Sequence, residues 1–373
     1  MTRTDPTTVP EAPAALDLPW GKFCDGLREL GQRVLATPGT ERDHAEGLRF
    51  LTHLLRSNLE RQLDSAPERP HFIQIGPVLK YLADNPDTLY DSTAVSPRHT
   101  YRITGNRGDA LYLSFTLYSG GRDVRIVADL NDQRLQCGPD GEFEIWLTPQ
   151  QQPGNWMELA PDTQMLIVRQ YFLDRAQETP AVYKIEPTGP AHPPAVLTAG
   201  GLGERLGRVE RGVGLVVDTT LEQLRHLRTS EPNTFGQVLA TQTEESGSVV
   251  LRAYPTPDND YQMCRFELAE DQALVIRFRP PACRYWGVHL TNVWWQSPQE
   301  CGAPTAINAG NAVLEEDGSV RVVVAHRDPG AANWLDTGGR REGTVLVRRL
   351  LPEDPDAVVR PETELVRTVL VGR

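Results

Sequence analysis

The sequence predicts a mainly β protein: two tandem antiparallel β-sandwiches of jelly-roll type, with a helical N-terminal segment and a short helical connector. Three observations predict it. First, two stretches read as copies of each other. Asp140-Gly141, Asn155-Trp156 and Met165-Leu166-Ile167-Val168-Arg169 recur in order as Asp317-Gly318, Asn333-Trp334 and Val345-Leu346-Val347-Arg348. The Asp-Gly to Asn-Trp spacing is fifteen residues in one copy and sixteen in the other. A period of about 175 residues is far too long for a solenoid and implies two domains of one type. Second, apolar and polar residues alternate with period two: Leu111, Leu113, Phe115 and Leu117 against Tyr112, Ser114, Thr116 and Tyr118. Third, 31 glycines and 30 prolines fall between short apolar runs, where turn-rich β-structure needs them.

Residues 1–66 read as helical. Asp17-Leu18-Pro19 has the form of an N-cap with proline in the first turn, followed by Trp20, Phe23, Leu27, Leu30 and Val34. A second helix starts behind Thr40, with Asp43 completing a capping box and Ala45, Leu48, Leu51, Leu55 and Leu59 as its apolar stripe. The first sandwich spans 67–185, with turns at Gly120-Gly121, Pro139-Asp140-Gly141 and Pro153-Gly154. Residues 186–235 read as a Pro/Gly-rich connector with a short helix behind Asp218 (Leu221, Leu224, Leu227), and 236–373 as the second sandwich. Upstream, Ala110–Phe115 echoes Ala273–Phe278, which predicts that these two runs are equivalent strands.

With 39% hydrophobic and 24% charged residues, the chain has enough apolar surface for real cores. A net charge of −12 opposes a nucleic-acid partner. The only lysines among the 38 basic residues are Lys22, Lys80 and Lys184, so a Schiff-base lysine has three candidates. No signal peptide and no 18-residue apolar run is visible, and the five cysteines show no C-x-x-C spacing. The expectation is a cytoplasmic protein, not membrane-bound, without disulfides, metal or cofactor, and with homo-oligomerisation open.

Two segments carry a family resemblance. Asp84-Asn85-Pro86-Asp87-Thr88-Leu89-Tyr90 resembles the N-N-D-T-x-Y element of domain-of-unknown-function family 1254. Arg284-Tyr285-Trp286, Asn308, Asp317-Gly318-Ser319 and Asn333-Trp334-Leu335 resemble the C-terminal signature of family 1214. The resemblance implies tandem β-sandwiches; it carries no activity and no catalytic residues.

The duplication serves as a filter. Features in both copies, such as Asp-Gly and Asn-Trp, belong to the fold: a hairpin turn with positive φ, and a tryptophan anchored beside an amide. Features in one copy are freer to serve function. His326-Arg327-Asp328 is one, since the first copy has Thr148-Pro149-Gln150-Gln151 there. It reads either as an acid–base cluster or as an exposed loop in which Arg327 and Asp328 pair. His289 shares a strand face with Tyr285 and precedes Trp294 and Trp295; it reads as part of a ligand pocket or as a satisfied histidine in an interdomain seam. Asn85, Asp87 and Tyr90 form a turn that is either structural or ligand-binding. No zinc-binding spacing, phosphate loop or nucleophile elbow is present; Gly200-Gly201-Leu202-Gly203 and Gly212-Val213-Gly214 lack the lysine and the strand–turn–helix context of one.

Two functions follow from these residues. One is a cofactor-independent acid–base enzyme (hydrolase, lyase or isomerase) acting on a small, largely apolar organic molecule. In it His326 or His289 moves the proton, Arg327 and Asp328 assist, and Tyr285, Trp294, Trp295, Asn85, Asp87 and Tyr90 bind the substrate. The other is a non-catalytic module that holds a sugar, another organic ligand or a partner protein.

Overall fold

A computed structural model describes residues 14–120, 124–189, 196–238, 254, 256–298, 304–354 and 359–371. The chain divides into two compact units, Met1–Asp64 with His192–Asp218, and Ser65–Ala191 with Thr219–Arg373.

The first unit is helical. It holds α1 (Ala14–Leu35), α2 (Glu41–Leu59) and the part of α3 (Ala199–Thr229) up to Asp218. The capping box at Thr40 forms: its Oγ1 accepts from the Asp43 amide at 3.2 Å, and Asp43 Oδ2 accepts from the Thr40 amide at 2.8 Å. Three expectations need correction. Helix α1 begins at Ala14, so Pro19 lies inside it rather than in its first turn, and forfeits one bond near a free helix end. The buried face of α2 is Glu46, Gly47, Phe50, Leu54, Ser57 and Asn58, and Leu48 is exposed. Helix α3 starts about five turns before Asp218 and absorbs the glycine-rich segment that reads as connector. Close packing explains the last two. A Cβ on Gly212 would stand 2.4 Å from Asn58 Oδ1, and one on Gly26 would stand 2.3 Å from Glu210 Oε1. Glycine there sets helix approach, which composition cannot reveal.

The second unit contains two halves of identical strand order. The first half has β1 (Ile73–Ile75), β2 (Thr88–Ala94), β3 (Tyr101–Asn106), β4 (Tyr112–Ser119), β5 (Ile126–Asn131), β6 (Glu142–Thr148), β7 (Asn155–Glu158), β8 (Thr163–Tyr171) and β9 (Val182–Pro187). The second has β10 (Phe235–Val238), β11 (Asn259–Glu267), β12 (Gln272–Phe278), β13 (Cys283–Thr291), β14 (Ala306–Asn308), β15 (Val320–Ala325), β16 (Trp334–Asp336), β17 (Glu342–Pro352) and β18 (Glu362–Arg367). Each half pairs a five-stranded sheet, β1-β2-β8-β4-β5 or β10-β11-β17-β13-β14, with a four-stranded one, β7-β6-β3-β9 or β16-β15-β12-β18. Pairing is antiparallel except for the edge pairs β6–β7 and β15–β16, which are parallel.

The duplicated motifs occupy equivalent places. Gly141 and Gly318 have φ of 80° and 81°, the left-handed region that an Asp-Gly turn requires. The Asn155 amide bonds both backbone groups of Gln136 and the Glu144 carbonyl; Asn333 does the same to Val313 and Arg321. Trp156 and Trp334 then donate to the carbonyls of Thr148 and Ala325. One echo is misaligned: β12 corresponds to β3 rather than β4, and the counterpart of β4 is β13.

Each sandwich closes on its own apolar core, Leu113, Phe115, Ile103 and Ile145 in one and Val288, Val345, Ile276 and Val322 in the other. The alternation in β4 does not separate core from solvent, because all eight of its residues are buried. Its Tyr/Ser/Thr face looks into a seam between the halves, where Tyr112 and Tyr171 cluster with Tyr285 and Leu350.

Candidate functional site

Strand register pairs the two halves residue by residue. Tyr112 stands across from Tyr171 as Tyr285 does from Leu350, and Tyr90 pairs with Arg169 as Tyr261 does with Arg348. Asp87 and Asp258 each precede the second strand of their five-stranded sheet. Asn131 and Asn308 end the equivalent edge strands, across from Ser114 and Gly287.

These residues bond reciprocally across the seam. Tyr112 Oη donates to Asp258 Oδ2 at 2.5 Å, joined by Asn131 Nδ2 at 2.8 Å. Tyr285 Oη donates to Asp87 Oδ2 at 2.8 Å, and the Asn308 side chain bonds the same carboxyl. Arg169 Nη2 donates to the Tyr254 carbonyl at 2.8 Å, and Arg348 Nη2 to that of Ala83. Residue i meeting j while j meets i is the logic of a two-fold dimer interface, here within one chain. Burial raises the Asp87 carboxyl above its ordinary value, and burial with the Asp87 charge pushes the Tyr285 hydroxyl far up, so the tyrosine remains a donor.

The symmetry breaks at one position. Thr116 on β4 corresponds to His289 on β13. Thr116 Oγ1 donates to Asp129 Oδ1 at 2.8 Å and accepts from Arg169 Nη1 at 3.3 Å. The strand partner of His289 in place of Asp129 is Ala306, which offers nothing polar. His289 is 1% exposed, and among the described residues neither ring nitrogen has a hydrogen-bond partner. Burial, then the charges of Arg348 and Lys80, hold the imidazole well below its ordinary pKa, so it is neutral at pH 7. Thr291 Oγ1, two residues on along the same face, and Trp295 Nε1 are likewise buried and, among the described residues, unpartnered. Trp295 packs with Leu346, the cross-strand partner of His289, and with Met263, Tyr261 and Leu227. Apolar walls with a few inward polar groups are the composition of a small-molecule site. Buried polar atoms lacking protein partners call for a partner from outside the chain, a water or a bound molecule.

Lys80 lies beside this face. Its Nζ is 3.0 Å from Asp84 Oδ2 and 2.5 Å from Ser297 Oγ, and Ser297 Oγ donates to Asp84 Oδ2 at 2.6 Å. This buried triad ties the segment after β1 to the one after β13.

Of the residues singled out in the sequence, Tyr285, Asn85, Asp87 and Tyr90 come together. Asn85 Nδ2 donates to Tyr285 Oη and the Asn85 amide to Tyr90 Oη, both at 3.2 Å. Trp294 is fully buried, its amide held by Asn292 Oδ1. His326, Arg327 and Asp328 lie elsewhere, at the end of β15 in the four-stranded sheet. His326 is already bonded, Nδ1 to Thr337 Oγ1 at 2.5 Å and Nε2 to the Leu268 carbonyl at 3.4 Å. Arg327 pairs with Glu270 on the surface rather than with Asp328, and Asp328 caps its own turn by accepting from the Gly330 amide. The structure therefore does not gather His289 and His326 into one cluster. Arg348 and Lys80 emerge beside His289 instead. The first was hidden by the duplication, which marks the arginine-ended strand as a feature of the fold. The second carried only the signal of lysine scarcity.

Among the described residues no three His, Cys, Asp or Glu side chains are placed to hold a metal ion, and no helix is long and apolar enough to cross a membrane. Cys24, Cys137, Cys264 and Cys283 are free, and Cys301 lies outside the described residues.

The model of the family of proteins of unknown function DUF1214 matches residues 82–173 and again 252–354. The chain belongs to the DUF1214 family. One family accounts for both halves, which is the duplication seen in the strands; the likeness of Asp84–Tyr90 to family 1254 is not shown. An uncharacterised protein from Burkholderia cenocepacia is similar at 34% identity and a TM-score of 0.86, covering 95% of this chain and 98% of its own. The VPA0106 protein from Vibrio parahaemolyticus shares the fold at 12% identity and a TM-score of 0.50, covering 85% of this chain and 97% of its own. Among curated proteins none matches the chain.

Proposed function

We propose that this DUF1214 protein binds a small, largely apolar organic molecule in the seam at His289 and moves a proton on it without a cofactor, as a hydrolase, lyase or isomerase would. The observation that carries the reading is the pair of unpartnered nitrogens on a buried, neutral imidazole. A neutral imidazole is a free base at working pH, and the nearby cations Arg348 and Lys80 favour negative charge developing on the substrate. Asn85, Asp87, Tyr90 and Tyr285 hold the seam in register around it. His326, with both nitrogens bonded, has no part in this chemistry.

A second reading, binding without catalysis, is favoured by one feature. Among the described residues no carboxylate orients His289, since Asp84 is engaged by Lys80 and Ser297. The two separate experimentally. The purified protein is denatured, and its extract is analysed by mass spectrometry for a stoichiometric small molecule. Turnover and binding of that molecule are then compared in wild type and His289→Gln. Lost turnover with binding kept within a few-fold supports proton transfer. Binding lost in His289→Gln, with no turnover in either protein, supports the binding module. Unchanged behaviour of both removes His289 from the function.

A further inference from the structure

The two halves of the seam differ in charge as well as shape. In the first, the Asp129 carboxylate on β5 bonds Thr116 and pairs with Arg134, and Thr116 receives Arg169 Nη1, so the buried guanidinium is linked to an acid through one hydroxyl. In the second, Ala306 stands where Asp129 does, and His289 where Thr116 does. Arg348, the counterpart of Arg169, is 5% exposed and lies over the Tyr261 ring at 5.2 Å. It donates Nη2 to the Ala83 carbonyl; among the described residues its Nε has no partner and no carboxylate forms an ion pair with it, Asp87 being the acid that feels its charge at longer range. A buried cation without a paired anion is unfavourable, and evolution keeps such groups chiefly where something else neutralises them.

We propose that the His289 site takes a small monocarboxylate, whose carboxylate lies over the β13–β17 pair between His289 and Arg348 and supplies there the negative charge that Asp129 supplies near Arg169. Arg348 faces Gly287 across the β13–β17 pair, so it sits diagonal to His289, roughly 7–8 Å away along the sheet and somewhat less at Cβ, a gap that a carboxylate spans. The apolar body of the ligand then lies along Leu346, Met263, Leu227 and Trp295, with Trp295 Nε1 and Thr291 Oγ1 free to bond a polar substituent. Ala306 is half-buried and belongs to the edge strand β14.

This assignment rests on the reading of His289 as the site, and the test separates the two. Benzoate and hexanoate are titrated against their neutral amides, benzamide and hexanamide, with wild type, Ala306→Asp, Arg348→Lys and His289→Gln. The carboxylates bind wild type at least tenfold tighter than the amides. Ala306→Asp, which restores an internal acid, weakens the carboxylates at least tenfold, changes the amides little and raises the melting temperature. Arg348→Lys weakens the carboxylates alone. Should Arg348→Lys fail to fold, the Arg348 Nε–Hε NMR resonance of wild type answers instead: it shifts with benzoate and not with benzamide. Equal affinity for acids and amides, no binding of either at millimolar concentration, or full benzoate affinity in a folded Ala306→Asp overturns the proposal. Benzoate binding that needs Arg348 but is untouched in His289→Gln keeps the anion site and retires His289.

Discussion

His289 is a buried imidazole whose protonation is suppressed in the folded chain, and this makes stability depend on pH in a defined direction. Its folded pKa lies well below 6.5, while in the unfolded chain it titrates normally. Above pH 6.5 neither state binds the proton; below it only the unfolded state does, so the histidine's contribution is present at pH 7.5 and is lost as pH falls. Between pH 7.5 and 5.5 wild type loses stability that His289→Gln does not. Urea unfolding of both proteins across this range measures it, and parallel curves would falsify the assignment of a suppressed proton. Asp87, whose pKa is raised chiefly by burial, takes up its proton first in the folded state and acts in the opposite sense nearer the carboxylate range.

At the scale of the element, α3 shows why a glycine-rich segment is helical. Its buried face, Leu206, Val209, Val213, Val216 and Val217, repeats at helical spacing. The glycines between are not alike. A Cβ on Gly214 would find only Leu30 Cδ2 at 3.9 Å, so Gly214→Ala gains up to about 1 kcal/mol from helix propensity. A Cβ on Gly212 would strike Asn58 Oδ1, and Asn58 is 3% exposed and tied to the Leu54 carbonyl at 2.9 Å. Gly212→Ala therefore gains nothing and loses about 1 kcal/mol or more as Asn58 shifts. Chemical denaturation of the two variants should move in opposite directions; equal stabilisation would mean that Gly212 does not set the helix approach.

Over the whole molecule, the two sandwiches behave as a fused two-fold pair. Tyr112 reaches Asp258 and Tyr285 reaches Asp87, so each half's half-buried carboxylate is held by a buried tyrosine of the other. Losing one half forfeits these bonds, at about 0.5–1.5 kcal/mol each, and bares the apolar seam face of the other. The halves are accordingly expected to unfold together. In protein labelled with 5-fluorotryptophan, the 19F resonances of Trp156 and Trp334, one in each sandwich, should disappear at the same urea concentration. Two separated transitions would show that the reciprocal bonds do not couple the halves.

Much of the fold was legible before any coordinates, because its signals are local. Asp-Gly demands positive φ, Asn-Trp carries its own anchoring bonds, Thr40 and Asp43 cap each other, and period-two alternation makes strands. Their order along the chain was enough to read two sandwiches of one type. Apart from the start of α1, the differences were non-local. Ala273–Phe278 resembles β4 in composition but pairs as the counterpart of β3, since strand identity depends on register. The α2 stripe and the α3 glycines were decided by how closely helices approach. His326 stood out as a titratable residue in one copy only, yet Thr337 and the Leu268 carbonyl occupy both its nitrogens. His289 stands apart because Ala306 replaces an aspartate across the sheet, a fact that no residue near it in the chain records. A partner supplied from another strand is invisible to spacing and composition; it exists only once the sheets are assembled.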